Sequence, residues 1–173
     1  ENVRSPYSFV HGLQKPMICF VRTQLAPYLI SRAQFDAMAH IVKKLLIANR
    51  GEIALRVVRT AKEMGISTVA VYSEQDRNSR YVDMADEAYL LSGDTYKDTY
   101  LNEDLLIDIL HKTGADAVHP GYGFLSEVPS FAQKVEDAGA VWVGPHHTAL
   151  VDLGDKITAR RVALRAKVPP VPG

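Results

Sequence analysis

The chain has 173 residues, 47% hydrophobic and 23% charged, enough for one domain with a single buried core and far from the compositions of disordered or membrane proteins. Its 20 basic and 20 acidic residues cancel, so no global field holds it on nucleic acid or an anionic membrane, and no apolar run approaches the roughly 18 residues of a membrane span. The single cysteine, Cys19, excludes an intrachain disulfide and a cysteine-based zinc site, and fits a reducing compartment.

Residues 1–40 stand apart. They carry Arg4, Lys15, Arg22 and Arg32 against only Glu1 and Asp36, and Pro6, Pro16 and Pro27 interrupt any helix. The segment lacks the apolar centre of a secretory signal and the serine richness and clean amphipathic face of an organelle transit peptide, although its shortage of acidic residues points faintly that way. It reads as a leader of uncertain origin, with disorder as one reading, and a remnant from upstream fits as well. The expected location is cytoplasmic, or the mitochondrial matrix if the leader is a transit peptide.

From residue 41 short apolar runs alternate with helical patterns, the arrangement of βαβ units around a parallel sheet. A first strand is predicted over 44–48. Ile53, Ala54, Val57, Val58 and Ala61 recur at three- and four-residue spacing, predicting an amphipathic helix over 52–64 that Gly65 stops. Residues 68–72 read as a second strand, rich in β-branched side chains, and 87–91 as a third, weaker one. Asn102 is placed to cap a helix over 103–113, with Leu105, Leu106, Ile109 and Leu110 as its buried stripe and Gly114 at its end. A fourth strand follows over 115–119, a helix over 129–138 ending at Gly139, a fifth strand over 141–143, and helical pieces over 147–153 and 156–166. The proline-rich tail from Val168 is extended. The expectation is an α/β domain with a doubly wound, Rossmann-like parallel sheet over 41–160, and 161–173 as the start of a linker.

In open parallel sheets ligands bind outside the carboxyl ends of the strands, where loops and helix N-termini present unpaired N–H groups. Three loops there are unusual: Asn49-Arg50-Gly51-Glu52, Pro120-Gly121-Tyr122-Gly123 and Gly144-Pro145. Neither a G-x-G-x-x-G nor a G-x-x-x-x-G-K-[ST] run is present, which removes the dinucleotide and P-loop readings. Gly121 and Gly123 allow positive φ or close ligand approach, Tyr122 and Phe124 supply flat surfaces, and Glu127 a carboxylate; tight turn geometry is the plainer alternative. His119 fits a satisfied strand-end residue as readily as a functional one, and Arg50 and Glu52 could pair or cap the following helix. Gly154-Asp155-Lys156 puts a cation at a helix N-terminus, unfavourable by about 0.3 kcal/mol. A phosphate there would remove the conflict, whereas a solvated surface lysine would leave it. No residue is assigned as a metal ligand.

Three blocks carry a resemblance. Residues 44–54 (KLLIANRGEIA), residues 119–127 (HPGYGFLSE), and Gly144-Pro145 followed by Gly154-Asp155-Lys156 resemble, in order and spacing, the signatures of biotin carboxylase N-terminal domains, over about 41–173. The resemblance implies a preATP-grasp fold that continues into an ATP-grasp domain and a C-terminal domain. It also implies a reaction in which ATP phosphorylates bicarbonate and the carboxyphosphate delivers CO2 to biotin on a carrier domain. The implied cofactors are ATP, magnesium or manganese held by the ATP-grasp domain, and biotin. The implied partners are a biotin carboxyl carrier domain, a carboxyltransferase and a second copy of the chain.

By the same resemblance, Lys156 contacts the ATP phosphates. His119, Gly121, Tyr122, Gly123 and Glu127 line the active-site cleft, and Arg59 and Glu63 lie at the dimer interface, where an intrahelical ion pair worth about 0.3–0.5 kcal/mol is the alternative. Val128-Pro129 departs from the family's usual Asn and bears on the start of the following helix. The sequence ends where the family continues into ATP-grasp, so no catalytic residue is assigned and the fragment alone is expected not to turn over. The acyl acceptor is not fixed, although 141–143 and 152–161 lean toward bacterial acyl-CoA carboxylase α chains of fatty acid biosynthesis. The alternatives are a preATP-grasp ligase of the carbamoyl-phosphate synthetase or purine-biosynthesis type, in which the 119–127 block is not expected, and a noncatalytic dimerisation module.

Overall fold

The computed structural model describes residues 42–169. Five strands, β1 (Lys44–Ile47), β2 (Ser67–Tyr72), β3 (Glu87–Leu90), β4 (Ala117–His119) and β5 (Val141–Trp142), form one sheet in the order β3-β2-β1-β4-β5, and every pair is parallel. Among the described residues six α-helices accompany them: α1 (Gly51–Glu63), α2 (Arg80–Met84), α3 (Glu103–Thr113), α4 (Pro129–Asp137), α5 (His147–Gly154) and α6 (Lys156–Arg165). The domain is α/β and doubly wound, as the alternation of apolar runs and helical stripes predicts.

Strand periodicity explains the winding. Along β1, Leu45 and Ile47 point to one face while Leu46 and the following Ala48 point to the other. On the first face they meet Ala54, Val58 and Ala61 of α1 and Tyr81 of α2. On the second they meet Leu106, Ile109 and Leu110 of α3 and Phe131, Ala132 and Val135 of α4. A strand covered on both faces must be apolar throughout, which is why β1 reads as an unbroken run. β3, at the sheet edge, alternates between half-buried and exposed residues, and Glu87 there takes an ion pair from Lys44 Nζ at 2.5 Å. Its weakness in the sequence is that of an edge strand.

The caps follow the sequence closely. The Asn102 side chain accepts from Leu105 N–H at 3.1 Å, and Gly114 closes α3 at φ +63. Two short elements escape the periodicity: a 3-10 turn at Glu74–Asp76 and the five-residue α2, too short to display a stripe and held by Tyr81, which is 1% exposed. β4 and β5 are shorter than predicted, and α6 runs through Arg165, past the expected domain boundary at 160. The leader reading and the final residues 170–173 lie outside the described residues. No described helix is long and apolar enough to cross a membrane.

Candidate functional site

The strand order reverses at β1, whose neighbours are β2 on one side and β4 on the other, so the sheet's topological switch point lies between β1 and β4. The chain leaves these two strands at Ala48 and His119, joined by the Ala48 N–H to His119 C=O bond of 2.9 Å. The Asn49 and Gly121 loops therefore diverge from adjacent points on one edge.

Asn49 holds the two loops together. It is 2% exposed, its Nδ2 donates to the carbonyls of Pro120 at 2.6 Å and Tyr122 at 2.9 Å, and its Oδ1 accepts from Arg50 N–H at 2.8 Å. Gly121 lies against it: a Cβ there would come within 2.7 Å of Asn49 Nδ2. Gly121 and Gly123 both adopt φ +66, and Phe124 follows at φ +43, a left-handed conformation rare for a bulky residue. Phe124 is fixed there by aromatic contacts of 5.4 Å to both Tyr96 and Tyr100.

His119 is partly buried, and its Nδ1 accepts from Gly121 N–H at 2.9 Å. Burial lowers its pKa, and an accepting Nδ1 calls for the neutral ring, so the two observations agree. Tyr122 is 59% exposed, and its hydroxyl donates to Glu52, the acidic residue in the first turn of α1. That bond raises the phenol's pKa. Glu127 is exposed, with no hydrogen bond or ion pair among the described residues. The structure thus brings His119, Gly121, Tyr122 and Gly123 together with Glu52 across the β1/β4 edge.

Arg50 and Glu52 neither pair with each other nor cap α1 through the Arg50 side chain, because each has a better partner. Arg50 forms a bidentate pair with Asp76 at 2.6 Å through both Nε and Nη2. The Asp76 side chain is only 7% exposed and also accepts from Tyr100 Oη at 2.7 Å. Hydrogen bonding to Arg50 holds the Asp76 carboxyl below its ordinary range and raises the guanidinium, while burial pushes up the Tyr100 and Tyr81 phenols. Arg50 and Asp76 line an open cleft of about 480 Å³ with Asp94, Thr95, Tyr96 and Thr99. Sequence reasoning missed Asp76 and Tyr100; the available signal was that Asp76 lies just past the carboxyl end of β2, on the same rim as Arg50.

Arg59 and Glu63 are exposed on α1 and form no intrahelical ion pair, so that alternative is not realised. Lys156 opens α6 as an exposed cation with no hydrogen bond or ion pair among the described residues, next to Asp155, whose carboxylate caps Thr158 N–H at 2.8 Å. α4 begins at Pro129, with Val128 in the cap position and no side-chain cap.

Fold and site together define a Rossmann-like α/β domain whose glycine-bearing loops close on each other at the switch point of the sheet. The model of the biotin carboxylase N-terminal domain matches residues 41–150, and the chain belongs to that family. It is 51% identical over 132 residues to the biotin-dependent acyl-coenzyme A carboxylase alpha3 subunit of Mycobacterium leprae, covering 76% of this chain and 22% of that one. It is 50% identical over 131 residues to the 2-oxoglutarate carboxylase small subunit of Hydrogenobacter thermophilus, covering 76% and 28%. The crystal structure of the biotin carboxylase domain dimer of the Hydrogenobacter thermophilus enzyme, in complex with MgADP, ADP and bicarbonate, superposes with a TM-score of 0.73 at 49% identity, covering 76% and 29%. The chain therefore spans less than a third of the length of each of these relatives.

Proposed function

We propose that this chain is the N-terminal domain of a biotin carboxylase, an ATP-dependent ligase that carboxylates carrier-bound biotin with bicarbonate. The observation that carries the reading is the β1/β4 edge, where the 44–54 and 119–127 blocks are locked to each other through Asn49. The same 119–127 block sets aside the carbamoyl-phosphate and purine-type ligases.

In this reading the domain builds one wall of the active-site cleft. His119, held neutral, fixes the backbone of Gly121; Gly121 and Gly123 give the loop a left-handed path; and Tyr122 and Glu127 face solvent where biotin would approach. ATP supplies the phosphoryl group that activates bicarbonate. Lys156 suits the ATP phosphates, being an exposed cation with no hydrogen bond or ion pair among the described residues, in the first turn of a helix that Asp155 caps. Magnesium or manganese, biotin, the carrier domain, the carboxyltransferase and a second copy meeting at Arg59 and Glu63 belong to the whole enzyme in this proposal, and the acyl acceptor is set by the carboxyltransferase.

The test uses the full-length enzyme. ATP hydrolysis is expected to require bicarbonate and to rise with free biotin, and absence of both dependences rejects the proposal. Lys156→Ala is expected to raise KM for ATP more than it lowers kcat; an unchanged KM would remove the phosphate role.

A further inference from the structure

Away from the β1/β4 edge, one cluster of side chains among the described residues has the composition of a metal centre. Glu136 in the last turn of α4, with His146 and His147 at the start of α5, each offer one ligand atom, and these atoms lie within 4.8 Å of one another. Glu136 Oε2 stands 2.6 Å from His147 Nδ1 and 3.5 Å from His146 Nε2. In a tetrahedral zinc site, metal–ligand bonds of about 2.0–2.2 Å place neighbouring ligand atoms about 3.3–3.5 Å apart. The observed separations straddle that spacing, so side-chain adjustment alone would fit an ion among them.

The donor set decides the class of ion. Two imidazoles and one carboxylate suit Zn2+, Co2+ or Ni2+, whereas Mg2+ and Ca2+ take oxygen ligands. The Glu136 and His147 side chains are 25% and 24% exposed and His146 is 61% exposed, leaving one open side for entry and for a fourth ligand.

The surroundings orient the ligands. His146 Nδ1 accepts from Thr148 N–H at 3.4 Å and lies 3.0 Å from Thr148 Oγ1; ion binding at Nε2 would move the ring proton to Nδ1 and turn it toward that hydroxyl, the outer-shell arrangement typical of metal-bound histidine. The chain is brought back toward α4 by the turn at Gly144, where a Cβ would sit 2.6 Å from Trp142 Nε1. Trp142 in turn packs edge-on against Phe131 of α4, with ring centroids 5.6 Å apart. The two histidines are thus carried by a turn that the core fixes.

We propose that Glu136, His146 and His147 bind a divalent transition-metal ion of the Zn2+ class, which staples the end of α4 to the start of α5. The same atoms would otherwise make only a histidine–glutamate ion pair, and metal titration separates the two. The full chain is titrated with Zn2+ alone by calorimetry and with Co2+ alone by absorption. The expected result is one equivalent bound at micromolar or tighter Kd, tetrahedral d–d bands for Co2+, and a Tm that rises with Zn2+ concentration. His147→Gln and Glu136→Gln, which keep size and hydrogen bonding, are expected to weaken binding at least about 10–100-fold, the loss that follows removal of even an outer-shell partner. His111→Ala, on α3, is expected to leave it unchanged. Absence of saturable binding below about 100 μM (a Kd weaker than about −5.5 kcal/mol), or binding that survives both glutamine variants, overturns the proposal.

Discussion

Gly121→Ala is expected to be far more damaging than the same change at Gly123, although the two glycines share φ +66. An alanine forced into the left-handed region costs about 1–2 kcal/mol, partly offset by about 0.4–1 kcal/mol from a stiffer unfolded chain. At Gly123 an added methyl would have nothing within 4 Å, so the cost there stops near 1 kcal/mol. At Gly121 the methyl would meet Asn49 Nδ2 at 2.7 Å and Asn49 Cγ at 3.0 Å, and Asn49 is 2% exposed and held by its bonds to Pro120 and Tyr122. Displacing it sacrifices its bonds to Pro120 and Tyr122, each worth about 1 kcal/mol net and more when a buried partner is left unsatisfied. The total is about 3–4 kcal/mol for Gly121→Ala. Urea unfolding of both variants at neutral pH measures the difference, and a double-mutant cycle with Asn49→Ala assigns it: in that background most of the difference is expected to vanish, the remainder coming from the 3.1 Å approach to the Cβ of residue 49. A Gly121→Ala no more than about 0.5 kcal/mol costlier than Gly123→Ala would refute the reasoning.

Asp76→Asn is expected to cost about 1.5–3 kcal/mol, the range for hydrogen bonds to a charged group, with the ionic part weakened by solvent at the 36% exposed Arg50. Because the folded carboxyl sits below its ordinary range, this stabilisation is complete above about pH 4–5 and is lost as pH falls. Urea midpoints of the two proteins should therefore differ at pH 7, and the difference should shrink as pH falls below about 4. His119 contributes with the same sign at higher pH: burial depresses its pKa, so the unfolded chain binds more protons below about pH 6.5 and stability falls as pH drops through that region. His119→Asn is expected to flatten the stability profile between pH 7.5 and 5.5, and an unchanged slope would show that His119 is not its source. In hydrogen exchange, amides of β1, β2 and β4 are expected to open only with global unfolding, whereas those of α5 and α6, which hold no fully buried residue, exchange through local opening; equal protection would contradict this.

How much of this was legible in the residues follows from which interactions are local. Every strand and every helix longer than five residues among the described residues shows in the sequence, because a doubly wound sheet demands unbroken apolar strands and striped helices, and because Asn102, Gly65 and Gly114 mark helix ends. α2 is hidden because five residues hold less than two turns of periodicity. The glycine loops of the site are legible for the same local reason. The partners of Arg50, Glu52 and Asn49 are not, since each lies between 26 and 73 residues away and is decided by strand order rather than spacing. Reading Arg50 and Glu52 as a neighbouring pair fails here: parallel strands bring Asp76 and Tyr122 to the same edge, where they compete successfully.

The fold holds the residues proposed for the site in two different ways. Asn49, His119 and Gly121 sit at the ends of β1 and β4, in mutual hydrogen bonds and backed by residues of zero exposure such as Ile47, Ala117 and Val118, so their geometry is set before any ligand arrives. Lys156 sits on a helix that presents Ile157 and Leu164 to solvent, 62% and 60% exposed, and packs chiefly against α5. A lysine buried in the rim would give up hydration in the absence of phosphate, a penalty of several kcal/mol for an unpaired ion. On an exposed helix it stays hydrated, and in the proposed role a phosphate would replace that water. The division follows from the charges: neutral backbone-shaping groups can be built into the core edge, while a lone cation is tolerable only where water can reach it.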